Sequence, residues 1–182
     1  RVSRPVALEL LLQRVDRLAD LGTAVITLSG GEPLLHPELE QVVAHVRRRG
    51  MMAGMITNGY LLTEQRIRAL NRAGLDHLQI SIDNIEPDEV SKKSLKVLEP
   101  KLRLLSRYAD FHVNINAVLG SGVRRPEDAL EVARRAVEFG FSFTVGLIHG
   151  PDGRLRPLGP SERDVYFRLS AMGRVSYSRF HH

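Results

Sequence analysis

Apolar residues recur along this chain at two periods, and the alternation of those periods predicts its elements. Leu8, Leu11, Leu12, Val15 and Leu18 are three and four residues apart, the spacing of one helix face. Ser3 reads as the N-cap of that helix, Pro5 as a first-turn residue and Gly22 as its stop. A short apolar run at 24–28 follows, then Gly30, Gly31 and Pro33, then a helical stretch over 37–49 that ends at Gly50. The unit repeats, with strands expected at 51–57, 76–83, 111–119 and 142–148 and helices at 63–73, 87–108, 126–139 and 161–172. Pro100 has no N–H and its ring clashes with the preceding turn, so two helical pieces are expected within 87–108. Strand starts 25 to 35 residues apart match a crossover connection, which requires parallel strands with helices outside.

The strands are amphipathic, unlike the continuous apolar runs of parallel strands covered on both faces. Leu78, Ile80 and Ile82 alternate with Gln79, Ser81 and Asp83, and Phe111, Val113, Ile115 and Ala117 alternate with His112, Asn114 and Asn116. Phe143, Val145 and Leu147 likewise oppose Ser142, Thr144, Gly146 and Ile148, and Thr27 shares a face with Ser29. The apolar faces must meet the helices, so the opposite face is expected to line a polar interior. An unpaired buried polar group there would cost about 1–3 kcal/mol, which a polar ligand would relieve. A water-exposed antiparallel face would show the same alternation, but the intervening helices argue against hairpins. Met51, Met52 and Met55 are at strand spacing and are expected in the core.

Composition narrows the chemistry. The 182 residues suffice for one ordinary domain, with 43% hydrophobic and 26% charged residues. The net charge of +5 is mild and no basic stripe with interleaved aromatics exists, so no nucleic-acid partner is expected. No apolar run is long enough for a membrane span, and a cytoplasmic location is expected. The chain begins with Arg1 rather than Met, as if trimmed. The absence of cysteine excludes disulfides, thiolate chemistry and Cys-ligated metal within these residues. The seven histidines form no HxxxH or HExxH pair, so no metal site is expected, and His181 and His182 read as tag remnants. Arg47 to Arg49 and Arg134 with Arg135 read as solvated helix ends. The segment 150–160 holds three Gly and three Pro and reads as an irregular loop, so a unit over 1–150 is followed by a loop, helix and tail over 151–182.

The most informative stretch is the turn after the first strand, Ser29, Gly30, Gly31, Glu32 and Pro33, at the strand end where parallel sheets place their sites. Glycines allow close approach of a ligand to the backbone, and a carboxylate beside exposed carbonyls suits a cationic group such as an ammonium. Taken alone, Glu32 also fits as a helix N-terminal carboxylate.

In context, the segments 28–39 (LSGGEPLLHPEL), 56–62 (ITNGYLL) and 80–83 (ISID) resemble the radical S-adenosylmethionine (SAM) superfamily over roughly residues 4–150. The resemblance implies a partial parallel (β/α) barrel, about five strands of a six-strand core with the first strand missing. It implies that Ser29, Gly30, Gly31 and Glu32 hold the amino group of SAM. Thr57 and Asn58, Ser81 and Asp83, and Asn116 match positions that hold the methionine carboxylate and ribose, and Ile148 matches the strand that packs on adenine. Ser81 and Asp83 fit equally well as a strand-end cap. Asn114, Asn116 and His112 are ligand contacts or a satisfied polar core, with Asn116 alone taken as a contact.

The resemblance breaks at the family's CxxxCxxC loop, which binds a 4Fe-4S cluster and is absent here. In the family that loop immediately precedes the helix expected here near Ser3 to Pro5, so those cysteines and the missing strand would lie upstream of Arg1. Such an intact enzyme would take an electron from a donor and cleave SAM to a 5'-deoxyadenosyl radical that abstracts hydrogen from an unspecified substrate; no side chain here need be a general acid or base. The chain by itself is then expected to be inactive. A cluster-free barrel that binds a nucleotide or amino acid is the alternative. A lyase or aldolase would need an inward Lys, yet Lys92, Lys93, Lys96 and Lys101 all lie in one expected helical segment. The turn with Gly120, Ser121, Gly122, Arg124 and Arg125 is a further candidate anion site.

Overall fold

Side-chain alternation on parallel strands dictates which face of a sheet its helices must cover, and here it is the same face on every long strand. The structure, a computed structural model, describes residues 5–87, 93–120, 125–148, 154, 157–172 and 175–177. Strands β1 (Val25–Leu28), β2 (Met52–Thr57), β3 (His77–Ser81), β4 (His112–Gly120), β5 (Ser142–Ile148) and β6 (Val175–Tyr177) pair in parallel in chain order. Right-handed crossovers between strands in sequential order put all helices on one side and curve the sheet toward a barrel. The sheet is open, because β1 and β6 are its two edges.

The covering helices are α1 (Leu8–Asp20), α2 (Leu39–Arg48), α3 (Glu64–Ala73), α4 (Leu95–Tyr108), α5 (Asp128–Glu138) and α6 (Pro160–Ala171). Their apolar stripes meet Met55, Leu78, Ile80, Ile115 and Phe143, all fully buried, in one continuous core. The chain after 150 joins that core, since Val165 and Leu169 of α6 are buried and α6 packs on α5 and β4. Of the expected irregular loop over 150–160, only 154 and 157–160 lie among the described residues.

The other face is polar over β3 and the first part of β4 and β5, with Val25, Met52 and Ile56 on it at β1 and β2, and its rungs follow from register. Gly54 pairs with His77 and His77 with His112; Gln79 pairs with Asn114 and Asn114 with Ser142; Ser81 pairs with Asn116 and Asn116 with Thr144. Partners on parallel strands share a face, so these rungs stack from the N-terminal to the C-terminal end of the sheet.

Several expectations are corrected. Pro100 does not divide the fourth helix: α4 is continuous from Leu95 to Tyr108. Its ring is exposed, and Leu98 before it and Leu102 and Leu105 after it are buried, so anchoring on both sides outweighs the one bond lost at the Lys96 carbonyl. The helix starts later than residue 87, with 88–92 outside the described residues, and Lys93 therefore precedes it. Helix α1 starts at Leu8 with Ala7 as N-cap, so Pro5 lies ahead of its first turn; Ser3 is outside the described residues. Residues 33–35 form a separate 3-10 turn before α2. Met51 and Met55 are buried but Met52 is half exposed, since it alternates onto the polar face. Arg47 is not a free helix end: it donates to the Met51 carbonyl and pairs with Asp76 at 2.9 Å. Strand β6 adds a sixth strand that three residues of sequence gave no periodicity to predict.

Replacing Pro100 with Ala restores the missing helical bond without touching the core. Urea unfolding of P100A is expected to show a gain of about 1–3 kcal/mol; a loss would mean that the ring itself stabilises the helix.

Candidate functional site

The turn between β1 and α2 meets the end of β2 through one carboxylate. Glu32 Oε1 accepts from Thr57 Oγ1 at 2.6 Å and from Leu34 N at 3.0 Å, and Oε2 accepts from Asn58 N at 2.8 Å. Thr57 is buried and its hydroxyl accepts from Gly59 N, so its own proton is committed to Glu32. Asn58 Oδ1 in turn accepts from Tyr60 N. The turn is shaped by Gly30, whose φ of 136° is closed to residues with a side chain. Gly59, at φ 79°, is doubly constrained: a Cβ there would come within 3.3 Å of Ile80 and Leu98.

Ser29, Gly30 and Gly31 are exposed on this rim, whereas Glu32 is half-buried and faces β2. Two further residues hold the turn. Arg66, in the first part of α3, donates to the Leu34 and His36 carbonyls and pairs with Glu40 at 2.9 Å. His36 bonds both to Glu38 N and to the Val6 carbonyl.

On β4 and β5 a chain of side-chain hydrogen bonds sorts the asparagines. Asn114 is buried; it accepts from Ser142 Oγ at 2.8 Å and donates to Thr144 Oγ1 at 2.8 Å. Its roles are therefore filled and it belongs to a satisfied polar core. Thr144 passes its own proton to Asn116 Oδ1 at 2.9 Å, which fixes the Asn116 amide with Nδ2 directed away from that bond. Among the described residues Asn116 Nδ2 has no hydrogen-bond partner. A Cβ at Gly146 would sit 3.8 Å from that nitrogen, so glycine keeps the adjoining space clear. His112 pairs with His77 across the first rung, with Nδ1 atoms 2.8 Å apart, far from the rim.

Structure thus joins Glu32, Thr57 and Asn58 directly and places Ser81 beside Asn116 in register. Asp83 lies two residues beyond β3, its N–H bonded to the Lys93 carbonyl. It faces Tyr60: burial first and the Asp83 carboxylate second push the Tyr60 phenol above its ordinary pKa, so it stays protonated. Ile148 does not join the Asn116 rung; its backbone pairs with Gly120, four residues and about 13 Å further along the sheet. The candidate anion turn falls largely outside the described residues, which include Gly120 and Arg125 but not Ser121, Gly122 or Arg124.

Sequence reasoning missed Tyr60, Arg66, His36 and Asp128. Tyr60 and His36 stand inside the quoted motifs. Asp128, a buried carboxylate at the start of α5, accepts from Ile85 N and ties down the segment after Asp83. Its partner is 43 residues away, so nothing local pointed to it.

The model of the radical SAM superfamily matches residues 1–155. PqqA peptide cyclase of Gluconobacter oxydans is 41% identical over 71 residues, 39% of this chain and 20% of that protein. PqqA peptide cyclase of Xanthomonas axonopodis pv. citri is 35% identical over 94 residues, 47% of this chain and 25% of that protein. The matched segments thus span about a quarter or less of these curated relatives. Streptococcus suis SuiB bound to S-adenosylmethionine superposes with a TM-score of 0.71 at 16% identity, over 98% of this chain and 44% of that one. A domain of pyruvate-formate lyase-activating enzyme from Bacteroides vulgatus superposes with a TM-score of 0.67 at 18% identity, over 85% and 99%. At these identities the structural likeness establishes the fold.

Two outcomes are expected. Glu32→Gln puts an N–H₂ where an acceptor is needed, so its denaturation midpoint should fall by an equivalent of about 1–3 kcal/mol; an unchanged midpoint would mean the staple is absent. Burial first and His112 second hold the His77 imidazole below its ordinary pKa. The folded state then resists a proton that the unfolded chain accepts. Its stabilising contribution is full above the ordinary imidazole range and is lost as pH falls through the depressed folded value. Unfolding midpoints of wild type and His77→Gln between about pH 7.5 and about pH 5 should show a smaller decline for the variant; equal declines would contradict it.

Proposed function

The chain belongs to the radical SAM superfamily, and from that premise we propose that it is the SAM-binding portion of a radical enzyme acting on a peptide. The observation that carries this is the stapled turn on one side of the rim and, on the other, an Asn116 amide N–H₂ with no partner among the described residues. Carbonyls of Ser29, Gly30 and Gly31 accept from the ammonium group of the ligand, with the Glu32 charge behind them lowering the cost of burying a cation. Asn116 Nδ2 donates to a carboxylate or ribose oxygen. Asp83, seconded by Ser81, accepts from ribose hydroxyls, Thr57 and Asn58 hold Glu32, and Ile148 packs on the adenine. These residues all lie within a binding unit over 1–150, whose core and sheet α6 and β6 of the segment 151–182 complete.

In the complete enzyme a reduced 4Fe-4S cluster would give one electron to SAM, whose cleavage to methionine and a 5'-deoxyadenosyl radical would supply hydrogen abstraction. The cluster itself does not fit the residues present. The chain has no cysteine, and among the described residues no group of three His, Asp or Glu side chains could hold a metal. No step of the chemistry is therefore assigned to these side chains; they bind, orient and exclude water. The chain by itself is expected to be inactive, and the complete enzyme needs an electron donor. No helix among the described residues is long and apolar enough to cross a membrane. A peptide substrate is favoured by the PqqA peptide cyclase relatives.

Titration calorimetry with SAM tests this. The chain should bind weakly but measurably, and Asn116→Ala should raise the dissociation constant about threefold to tenfold, the loss of one hydrogen bond to a charged or polar group. No binding by a folded wild-type chain, or wild-type binding by N116A, would contradict the assignment.

A further inference from the structure

The rim turn is also tied to the segment that enters α1, and one side chain makes the tie. His36 Nδ1 lies 3.1 Å from Glu38 N, a backbone donor with nothing to accept. That contact requires Nδ1 to be unprotonated and to act as acceptor. The neutral ring then carries its proton on Nε2, which lies 2.9 Å from the Val6 carbonyl, an atom that can only accept. Both contacts are satisfied by one tautomer and by no other protonation state. Val6 is two residues ahead of α1, and 30 residues separate it from His36, so the bond joins parts of the chain with no local reason to meet.

The remaining holds on this turn act elsewhere. Glu32 binds it to the end of β2, and Arg66 binds its Leu34 and His36 carbonyls to α3. Val6 itself is partly exposed and Pro5 beside it supplies no N–H, so apolar packing and backbone bonding contribute little to fixing this approach to α1.

We infer that His36, as its Nε2–H tautomer, is a positioning residue that clasps the segment entering α1 to the carboxylate turn and couples the order of that segment to ligand binding on the turn. The coupling half of this inference rests on the proposed SAM site; the clasp does not. Linkage makes the effect reciprocal: a ligand that orders the turn quiets residues 6–12, and releasing those residues weakens the ligand.

Two substitutions divide the two contacts. His36→Asn keeps an acceptor for Glu38 N, since an Asn side chain commonly accepts from the N–H two residues on, but cannot reach Val6. His36→Gln offers its amide N–H toward Val6 and gives up the Glu38 contact.

The experiment combines ¹H–¹⁵N correlation of the His36 ring with amide hydrogen exchange of residues 6–12, in the presence and absence of SAM. At a pH where the imidazole is neutral, the ring should carry its proton on Nε2. Without ligand, exchange of 6–12 should be faster in H36N than in wild type and near wild type in H36Q. With SAM, wild type and H36Q should gain protection over 6–12 and H36N should not, while its dissociation constant rises about threefold to tenfold. A proton on Nδ1, or wild-type exchange in ligand-free H36N, overturns the clasp. Wild-type ligand protection of 6–12 in H36N overturns the coupling. If SAM fails to bind the wild-type chain, the proposed function and the coupling fall together, and the tautomer and ligand-free exchange still decide the clasp.

Discussion

The Glu32 carboxylate accepts three hydrogen bonds, one from its own turn and two from the end of β2, and the rest of the rim is arranged around that junction. A half-buried carboxylate is tolerable only when its lone pairs are occupied, and the three donors here do that with protein groups alone. The carboxylate is therefore fixed before any ligand arrives, and what a ligand has left to order is the exposed backbone of residues 29–31. Ser29, Gly30 and Gly31 are exposed while the Glu32 charge is half-buried against β2, an arrangement that favours a cation at low reorganisation cost.

The rest of the interior obeys the same requirement. The described helices wind onto one side of the sheet, and on the other side the polar residues of β3, β4 and β5 bond to one another across the strands. The hydrogen-bond chain runs in one direction, from Asn114 through Thr144 to Asn116, so that its last member has its acceptor filled and, among the described residues, its donors spare. One amide is structural and the other, two residues nearer the C-terminal end of the strand, is available among the described residues.

Much of the scaffold was legible because it rests on local periodicity. Alternation at Leu78, Ile80 and Ile82 and at Val113, Ile115 and Ala117 identified both the strands and the face that packs on helices. The carboxylate turn was recognisable from its glycines and Glu32. What escaped depends on distant partners. Glu32 faces Thr57 and Asn58 rather than open carbonyls because β2 brings two donors to it from 25 and 26 residues away. Pro100 failed to break α4 because buried leucines on both sides hold the helix against the sheet, a tertiary effect that outweighs a local one. Met52 went to the polar face because alternation, not hydrophobicity, decides where a strand residue points. Residues 175–177 were too few to show a period at all.

A crystal structure of the chain soaked with SAM bears most directly on the central claim. The account predicts the ammonium group within hydrogen-bond distance of the carbonyls of residues 29–31, Glu32 still bonded to Thr57 and Asn58, and Asn116 Nδ2 on a ligand oxygen. Ligand bound away from this rim, or a Glu32 carboxylate swung out of its three hydrogen bonds, would contradict it.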